Sequence, residues 1–207
     1  MDNLVYTIGH SNWSFDKFLS LVKNHGITAI GDVRSQPYSR HNPHFNREDL
    51  AKSLRNSGVR YVFLGKELGA RVTDLGCYRD GKVRYDLVAK TGNFLTGVER
   101  VVKGIRSQRV ALLCAEKEPL ACHRTILIAR YLRELNIVVR HILEDGTFED
   151  HDASVVRLIK LLGIPECDLF KSTEEIISTA YAIQAERIAF GREETPRPTY
   201  DIAASGQ

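Results

Sequence analysis

The chain has 207 residues, of which 43% are hydrophobic and 27% are charged, and its formal net charge is +3. This composition is typical of a soluble globular protein, and the length suits one α/β domain with an appendage. No apolar run approaches the roughly 18 residues of a membrane span, and the first residues lack the pattern of a signal peptide. We therefore expect a cytoplasmic protein that makes no contact with a membrane.

Charge and cysteine distribution add two further indications. The first 150 residues carry 23 basic and 17 acidic residues, whereas the rest carries 6 and 9. A basic core suits a phosphate-bearing ligand, although ordinary surface solvation is the better explanation of so small an excess. The four cysteines have no disulfide-dense spacing, which favours reduced thiols.

Five short apolar runs predict β-strands. They are rich in Val and Ile and continuous rather than alternating, which is typical of strands buried on both faces of a parallel sheet. These runs are Val5–Ile8, Ala29–Val33, Tyr61–Leu64, Val110–Cys114 and Val138–Leu143.

Segments with a helical spacing of apolar residues separate and follow these runs. Ser14 and Gly26 mark the start and end of the first helix, and Asn46 is predicted to cap the second. The remaining predicted helices cover residues 94–105, 128–135, 152–162 and 172–190. This order predicts an α/β fold with a three-layer, open, mostly parallel sheet, helices on both faces and a C-terminal helical extension.

We predict an α/β domain over residues 1–150 and a helical extension over residues 151–207 with a disordered end after Gly191. Four glycines, with Gly65 directly before them, make residues 66–92 a long irregular connection, which is typical of a functional or mobile loop. Exposed apolar positions on the last two helices pack either on the domain or on a second copy, so a homodimer stays open.

Polar residues collect where the predicted strands end, and ligands of open parallel sheets bind beyond the carboxyl ends of the strands. These candidates are His10, Ser11, Asp32, Arg34, Ser39, Arg40, Cys114, Glu116 and His141. Structural alternatives are a His10 ring held by a backbone carbonyl and a buried ion pair between Asp32 and Arg34.

Residues 114–124 are the richest in chemistry. The fourth strand ends at Cys114, a loop with Glu116 follows, and a helix begins near Cys122, followed by His123 and Arg124. The N–H groups and dipole at a helix start favour an anion, so Arg124 is predicted to bind one. The alternative is that Arg124 pairs with Glu116 or Asp32 and ties the loop down.

The segment of residues 35–47 interleaves Tyr38 and Phe45 with Arg40, His41 and other basic residues. Basic side chains fix phosphates and aromatic ones stack on bases, so the segment suits a nucleotide or nucleic acid. The alternative is a solvated loop anchored by Phe45 on the core.

Taken together, these motifs resemble the bacterial and archaeal family catalogued as domain of unknown function 488. The matching stretches lie between residues 4 and 146 and are Thr7-Ile8-Gly9-His10-Ser11, Asp32-Val33-Arg34 with Pro37, Ser39 and Arg40, Tyr61 with Leu68-Gly69, Cys114 with Glu116, Cys122-His123-Arg124, and His141-Ile142. The resemblance implies an α/β domain with these motifs gathered on one side, which adds Tyr61 and Cys122 to the substrate-binding candidates. It implies no reaction.

The leading hypothesis is an enzyme acting on a nucleotide-like or other phosphate-bearing substrate, including nucleic acid. Arg34, Arg40 and Arg124 hold anionic groups in this hypothesis, and the catalytic candidates are Asp32, Glu116, His10, His123 and Cys114.

Two alternatives stay open. One is a non-catalytic module that binds a nucleotide or nucleic acid, which the basic first 150 residues favour. The other is a divalent-metal protein with Cys114, Cys122, His123 and His10 as ligands, but their spacing matches no standard ligand pattern. No cofactor and no metal ligand is therefore predicted.

Overall fold

The computed structural model describes residues 3–167 and 169–191. The predicted disordered end, residues 192–207, lies outside the described residues. Among those that are described, no helix combines the length and the apolar character needed to cross a bilayer.

Among the described residues, the main sheet has six strands, and a two-stranded hairpin lies apart from it. The strands are β1 (Leu4–Gly9), β2 (Ala29–Asp32), β3 (Arg60–Phe63), β4 (Tyr78–Arg79), β5 (Lys82–Val83), β6 (Val110–Cys114), β7 (Val138–Ile142) and β8 (Phe148–Asp150). The order of the main sheet is β3-β2-β6-β1-β7-β8, with β8 antiparallel to β7 and the other pairs parallel. All five predicted strands are confirmed, each with ends displaced by no more than one residue.

The described helices surround the sheet. They are α1 (Phe15–Asn24), α2 (Arg47–Asn56), α3 (Gly65–Leu68), α4 (Tyr85–Val88), α5 (Gly92–Ile105), α6 (Arg130–Glu134), α7 (His151–Leu161) and α8 (Thr173–Ile188). A π-helical segment, Arg124–Ala129, leads directly into α6. The connection over residues 66–92 is less irregular than predicted, because it contains most of α3, all of α4 and the β4–β5 hairpin.

Two hydrophobic cores lie on opposite faces of the sheet, because successive strand residues point to opposite sides. On β6, Leu112 packs in one core and Leu113 in the other. Helices α1 and α2 cover the face of Leu113. Helices α3, α5, α7 and α8 and the π-helical segment cover the face of Leu112. This arrangement confirms the three-layer α/β fold with a C-terminal helical extension.

The chain order places a topological switch at β6. The helices that follow β1 and β2 lie on one face, whereas the helical segments that follow β6 lie on the other. In the sheet, β6 lies between β1 and β2. At its carboxyl end, Cys114, the chain therefore turns to one face of the sheet, whereas the chain leaving both neighbouring strands turns to the other face. Ligands of open α/β sheets bind in crevices of this kind.

A buried hydrogen-bonded chain ties the C-terminal helices to the sheet. His141 on β7 contacts His151 at the start of α7 (Nε2 to Nδ1, 3.0 Å), and the other His151 nitrogen contacts the Tyr181 hydroxyl on α8 at 2.8 Å. The predicted division into domains at residue 150 stays a prediction.

Candidate functional site

Four side chains meet at the carboxyl end of β6 and form what we call the thiol cluster: Cys114, Glu116, Cys122 and His123. The Glu116 Oε2 atom lies 3.0 Å from the Cys114 sulfur and 3.1 Å from the Cys122 sulfur. The His123 Nδ1 atom lies 3.7 Å from each sulfur. Both cysteines and His123 are buried, whereas Glu116 is exposed. The cluster therefore reaches solvent through Glu116.

Backbone contacts orient two members of this cluster. The His123 Nε2 atom lies 3.2 Å from the carbonyl oxygen of Val33, which follows β2. The backbone N–H of Arg124 donates to the Cys122 sulfur at 3.4 Å. An N–H group at the start of the helix that was predicted to bind an anion is thus directed at the Cys122 sulfur. The helix begins with a π-helical segment, a geometry that is frequent at functional sites.

The shared environment moves the pKa values of the cluster apart. Burial alone would raise the pKa of Cys122, but the Cys114 hydrogen bond and the Arg124 and His123 charges hold it well below its ordinary value. The hydrogen bond with Cys122 and burial raise the pKa of Cys114. The pKa of Glu116 is raised by the partial burial of its carboxylate and, secondly, by the negative charge of Cys122. Groups separated in this way are typical of acid–base sites.

Arg124 is fully buried and holds the loop that carries Glu116. Its guanidinium donates to the carbonyl oxygens of Glu116 and Lys117 and to the Thr7 hydroxyl. The alternative in which Arg124 ties the loop down is therefore what the geometry shows, although through carbonyls and not through an acidic partner. The predicted anion-binding role of Arg124 stays a prediction.

A second group, which we call the Asp32 network, comprises Asp32, Arg34, His10 and Tyr61. The Arg34 guanidinium donates to both Asp32 carboxylate oxygens, and the Tyr61 hydroxyl donates to Oδ2 at 2.8 Å. Asp32 is fully buried and Arg34 nearly so. This is the buried ion pair of the structural alternative, and the catalytic role of Asp32 stays a prediction.

The His10 ring has a partner on each nitrogen. Nε2 lies 3.0 Å from Nη1 of Arg34, Nδ1 lies 2.7 Å from the Ser11 carbonyl, and the ring stacks on Phe45. Burial and the Arg34 charge lower the pKa of His10 to about 4, so the ring is neutral at neutral pH. A neutral ring accepts from Arg34 and donates to the Ser11 carbonyl, which matches the structural alternative for this histidine.

The two groups lie at one sheet edge but on different faces. Cys114 belongs to the core of α5 and α7, whereas Tyr61 packs against the core of α1 and α2. The thiol cluster and the Asp32 network are linked at the end of β2, where the His123 ring contacts the Val33 carbonyl. The predicted gathering of these residues at one edge is found, and the structure arranges them as two networks.

The segment of residues 35–47 is ordered by side chain–backbone contacts. The Ser39 N–H donates to Asn46 Oδ1 at 2.7 Å, and the Ser39 hydroxyl accepts from the Asn42 N–H at 3.2 Å. Phe45 is fully buried, as the anchored-loop alternative requires. Arg40 is exposed, and Ser11, with a φ of 48°, approaches the loop through its carbonyl, 3.4 Å from the Asn42 amide.

His141 is placed inside the protein. It is fully buried, with Nδ1 2.8 Å from the Thr7 hydroxyl and Nε2 against His151. Since Arg124 also donates to Thr7, His141 connects to the thiol cluster through the loop that Arg124 holds. Its predicted substrate-binding role is untested.

Sequence reasoning missed Tyr85, a buried residue on α4. Burial and then the nearby Cys122, Cys114 and Glu116 raise the pKa of its hydroxyl. The same side chain lines a cleft of about 620 Å³ between α4, α6 and α8, which the thiol cluster itself does not line. Tyr85 lies in the segment that was predicted to be an irregular connection, so no pattern linked it to Cys114.

Comparison with family models decides the relationship of the chain. The model described as domain of unknown function DUF488 matches residues 14–132. The chain belongs to the DUF488 family. Searches of curated proteins and of solved structures returned no significant match. The DUF488 match includes the thiol cluster and Asp32 but leaves out His10, Ser11 and His141, and the family description assigns no reaction.

Proposed function

We propose that this DUF488 protein is an enzyme that acts on a nucleotide-like or other phosphate-bearing substrate, nucleic acid included, bound beyond the carboxyl end of β6. Glu116 transfers a proton in the reaction. One observation carries the proposal: the partly buried carboxylate of Glu116, an otherwise exposed residue, contacts two buried cysteines at the topological switch of the sheet.

Catalysis is favoured because Glu116 is held where folding does not require a carboxylate. The loop is fixed through the Glu116 backbone carbonyl by Arg124, which leaves the carboxylate available for chemistry. Its raised pKa brings the group closer to neutral pH, where proton transfer is most effective. The sulfurs of Cys114 and Cys122 contact this carboxylate and fix its position at the end of β6.

A phosphate-bearing ligand is favoured by the exposed part of the segment of residues 35–47. Tyr38, Arg40 and His41 are exposed there, whereas Arg34 and Arg124 already bind groups of the protein. An exposed cation and an exposed aromatic ring two residues apart in one segment suit a phosphate attached to a base. Arg40 is therefore the residue that we assign to the phosphate.

The test uses the full chain with inorganic phosphate, AMP and a short single-stranded DNA. We expect at least one of these ligands to raise the thermal midpoint, and Arg40→Ala to weaken that binding about tenfold, as loss of one charge-assisted contact does. Failure of all three ligands to stabilise the protein would contradict the substrate class.

Turnover separates the enzyme from a binding module. Products of the bound ligand are followed by mass spectrometry, and Glu116→Gln is expected to retain binding and lower the rate about 100-fold or more. Glu99→Gln, an exposed carboxylate on α5, is the matched control. Salt-sensitive binding with no product, unchanged by Glu116→Gln, would establish the non-catalytic alternative. A cytoplasmic location and a homodimer stay predictions.

A further inference from the structure

Three donor atoms of the thiol cluster form a compact set. The sulfurs of Cys114 and Cys122 and the Nδ1 atom of His123 lie within 4.8 Å of one another. Each sulfur is 3.7 Å from Nδ1. In a tetrahedral zinc site the Zn–S and Zn–N bonds of about 2.3 and 2.1 Å place sulfur and nitrogen ligands about 3.6 Å apart. The two sulfur–nitrogen distances therefore match two edges of a metal tetrahedron.

The protonation of His123 is also suited to a ligand. Because Nε2 faces the Val33 carbonyl, it carries a proton and donates to that oxygen, and a bound metal would take the place of a proton on Nδ1. The lone pair of Nδ1 is then directed at the two sulfurs. Metal-binding histidines are held by the same contact, which fixes the tautomer and the ring orientation.

The acceptor atoms of this set converge on one buried place. With both sulfurs as thiolates and no proton on Nδ1, the lone pairs of two sulfurs and one nitrogen lie within 4.8 Å of one another. A cation is what such an arrangement binds, since buried lone pairs need a partner.

We propose that Cys114, Cys122 and His123 bind a divalent cation of the zinc type. The ligand atoms are the two sulfurs, as thiolates, and Nδ1 of His123. Three protein ligands leave one tetrahedral position for water or a substrate atom, as catalytic zinc sites do. Glu116 touches both sulfurs but does not belong to the compact set of donors, so it lies beside the metal as a neighbouring carboxylate.

The surroundings suit a site with two thiolates. The positive charge of the metal cancels both negative sulfurs, and the Arg124 N–H donates to the Cys122 sulfur. The ligands come from β6 and from the residues just before the π-helical segment, so both elements hold them in place. A separation of eight residues between the two cysteines, with the histidine next to the second, conceals this site from a search for standard ligand spacings.

The experiment measures metal in the full chain, purified without an affinity tag under reducing conditions. We expect about one zinc per chain by elemental analysis. Replacement by cobalt is expected to produce the absorption of tetrahedral cobalt with a thiolate charge-transfer band, a readout that needs no substrate. Chelation is expected to lower the thermal midpoint, because metal binds the folded chain.

Variants identify the ligands. Cys114→Ser, Cys122→Ser and His123→Gln are each expected to reduce zinc to background, with folding checked by circular dichroism. Cys77→Ser is the buried control and Cys167→Ser the exposed one, and both should keep the metal. Glu116→Gln should keep it too, and loss of zinc in that variant would overturn the open fourth position.

Two results on the unmutated chain would overturn the proposal even if the variants fail to fold. One is zinc-free protein that takes up no cobalt and whose Cys122 is rapidly alkylated, which would establish a thiolate–imidazolium pair. The other is a disulfide between Cys114 and Cys122 that persists in reductant. Neither result touches the proposed substrate, because ligand binding at Arg40 is measured separately.

Discussion

At the scale of single residues, the position of Glu116 depends on a close approach between two backbone segments. A Cβ atom on Gly9 would lie 1.8 Å from the Glu116 carbonyl oxygen. The same carbonyl accepts from the guanidinium of Arg124. The Glu116 carbonyl oxygen can thus occupy its place only because residue 9 has no side chain, and the guanidinium of Arg124 holds it there. The loop geometry, and with it the thiol cluster, depends on both residues.

Gly9→Ala is predicted to destabilise the protein by about 3 kcal/mol, because the methyl group must displace the backbone at Glu116. Urea denaturation measures this loss. Gly104→Ala is the control: its Cβ would lie 3.6 Å from the nearest atom, inside α5, where alanine favours the helix by roughly 0.5–1 kcal/mol. Equal stability of the two variants would show that the loop moves freely.

Arg124→Lys keeps the charge but removes the planar group that donates to two carbonyls at once. We expect a loss of about 3 kcal/mol in the free energy of unfolding, since a buried charge loses hydrogen bonds. Arg130→Lys, at the half-exposed first residue of α6, should cost far less. Faster exchange of the amide hydrogens around Lys117 in Arg124→Lys alone would locate the damage in the loop.

At the scale of elements, patterns several residues long were predictable and single turns were not. The five apolar strands and the long helices each repeat their signal over several residues, which a tertiary contact rarely overrides. Helices α3 and α4 span four residues each and the β4–β5 strands two, too few to show a period. The antiparallel β8, three residues long, was missed for the same reason.

Side-chain partners across the fold were beyond sequence reasoning. The gathering of Asp32, Cys114 and Glu116 at one edge followed from the rule for parallel strands. The assignment of Arg124 to backbone carbonyls did not follow, because it depends on how the loop folds back on β1. The pairing of His123 with Val33 likewise requires the register of β2 beside β6.

At Asn46 the sequence predicts the position of a helix start correctly but not the partner of the side chain. It occupies the N-cap position of α2, as predicted, but its side chain makes no cap hydrogen bond and instead accepts from the Ser39 N–H. Asn46→Ala is expected to cost about 1 kcal/mol and to speed hydrogen exchange at Ser39. Ser14→Ala, which removes a genuine cap on Lys17 of α1, should cost a similar amount but affect the first turn of α1. Faster exchange in the first turn of α2, with Ser39 unchanged, would contradict this account.

At the scale of the whole molecule, one buried chain of contacts joins the C-terminal helices to the candidate site. It runs from Tyr181 through His151 and His141 to Thr7, and Arg124 donates to the same Thr7 hydroxyl. In the neutral chain each ring donates one proton and accepts another. A second proton on either ring would place a positive charge inside the protein, and for His141 that charge would lie near Arg124, so both histidines are neutral in the folded chain at neutral pH.

This neutrality predicts a loss of stability as the pH falls below about 6.5, the ordinary pKa of histidine. Burial lowers the pKa of His151 to about 4 and lowers that of His141 as well. Between the pKa of the unfolded chain and the lower pKa of the folded one, the unfolded chain binds more protons. The free energy of unfolding therefore decreases as the pH decreases. The expected loss by pH 5 is about 1–2 kcal/mol for each buried histidine, measured by urea denaturation at fixed ionic strength.

His151→Gln tests the origin of that slope. The variant is less stable at pH 7.5 because contacts with His141 and Tyr181 are altered, but its stability should fall less steeply between pH 6.5 and 5. His41→Gln, an exposed substitution, should keep the slope of the parent protein. His10 titrates in the same window, so the slope in His151→Gln decreases without vanishing. An unchanged slope would mean that the chain from Tyr181 to Thr7 tolerates charge, and the coupling of the C-terminal helices to the Arg124 loop would lose its electrostatic basis.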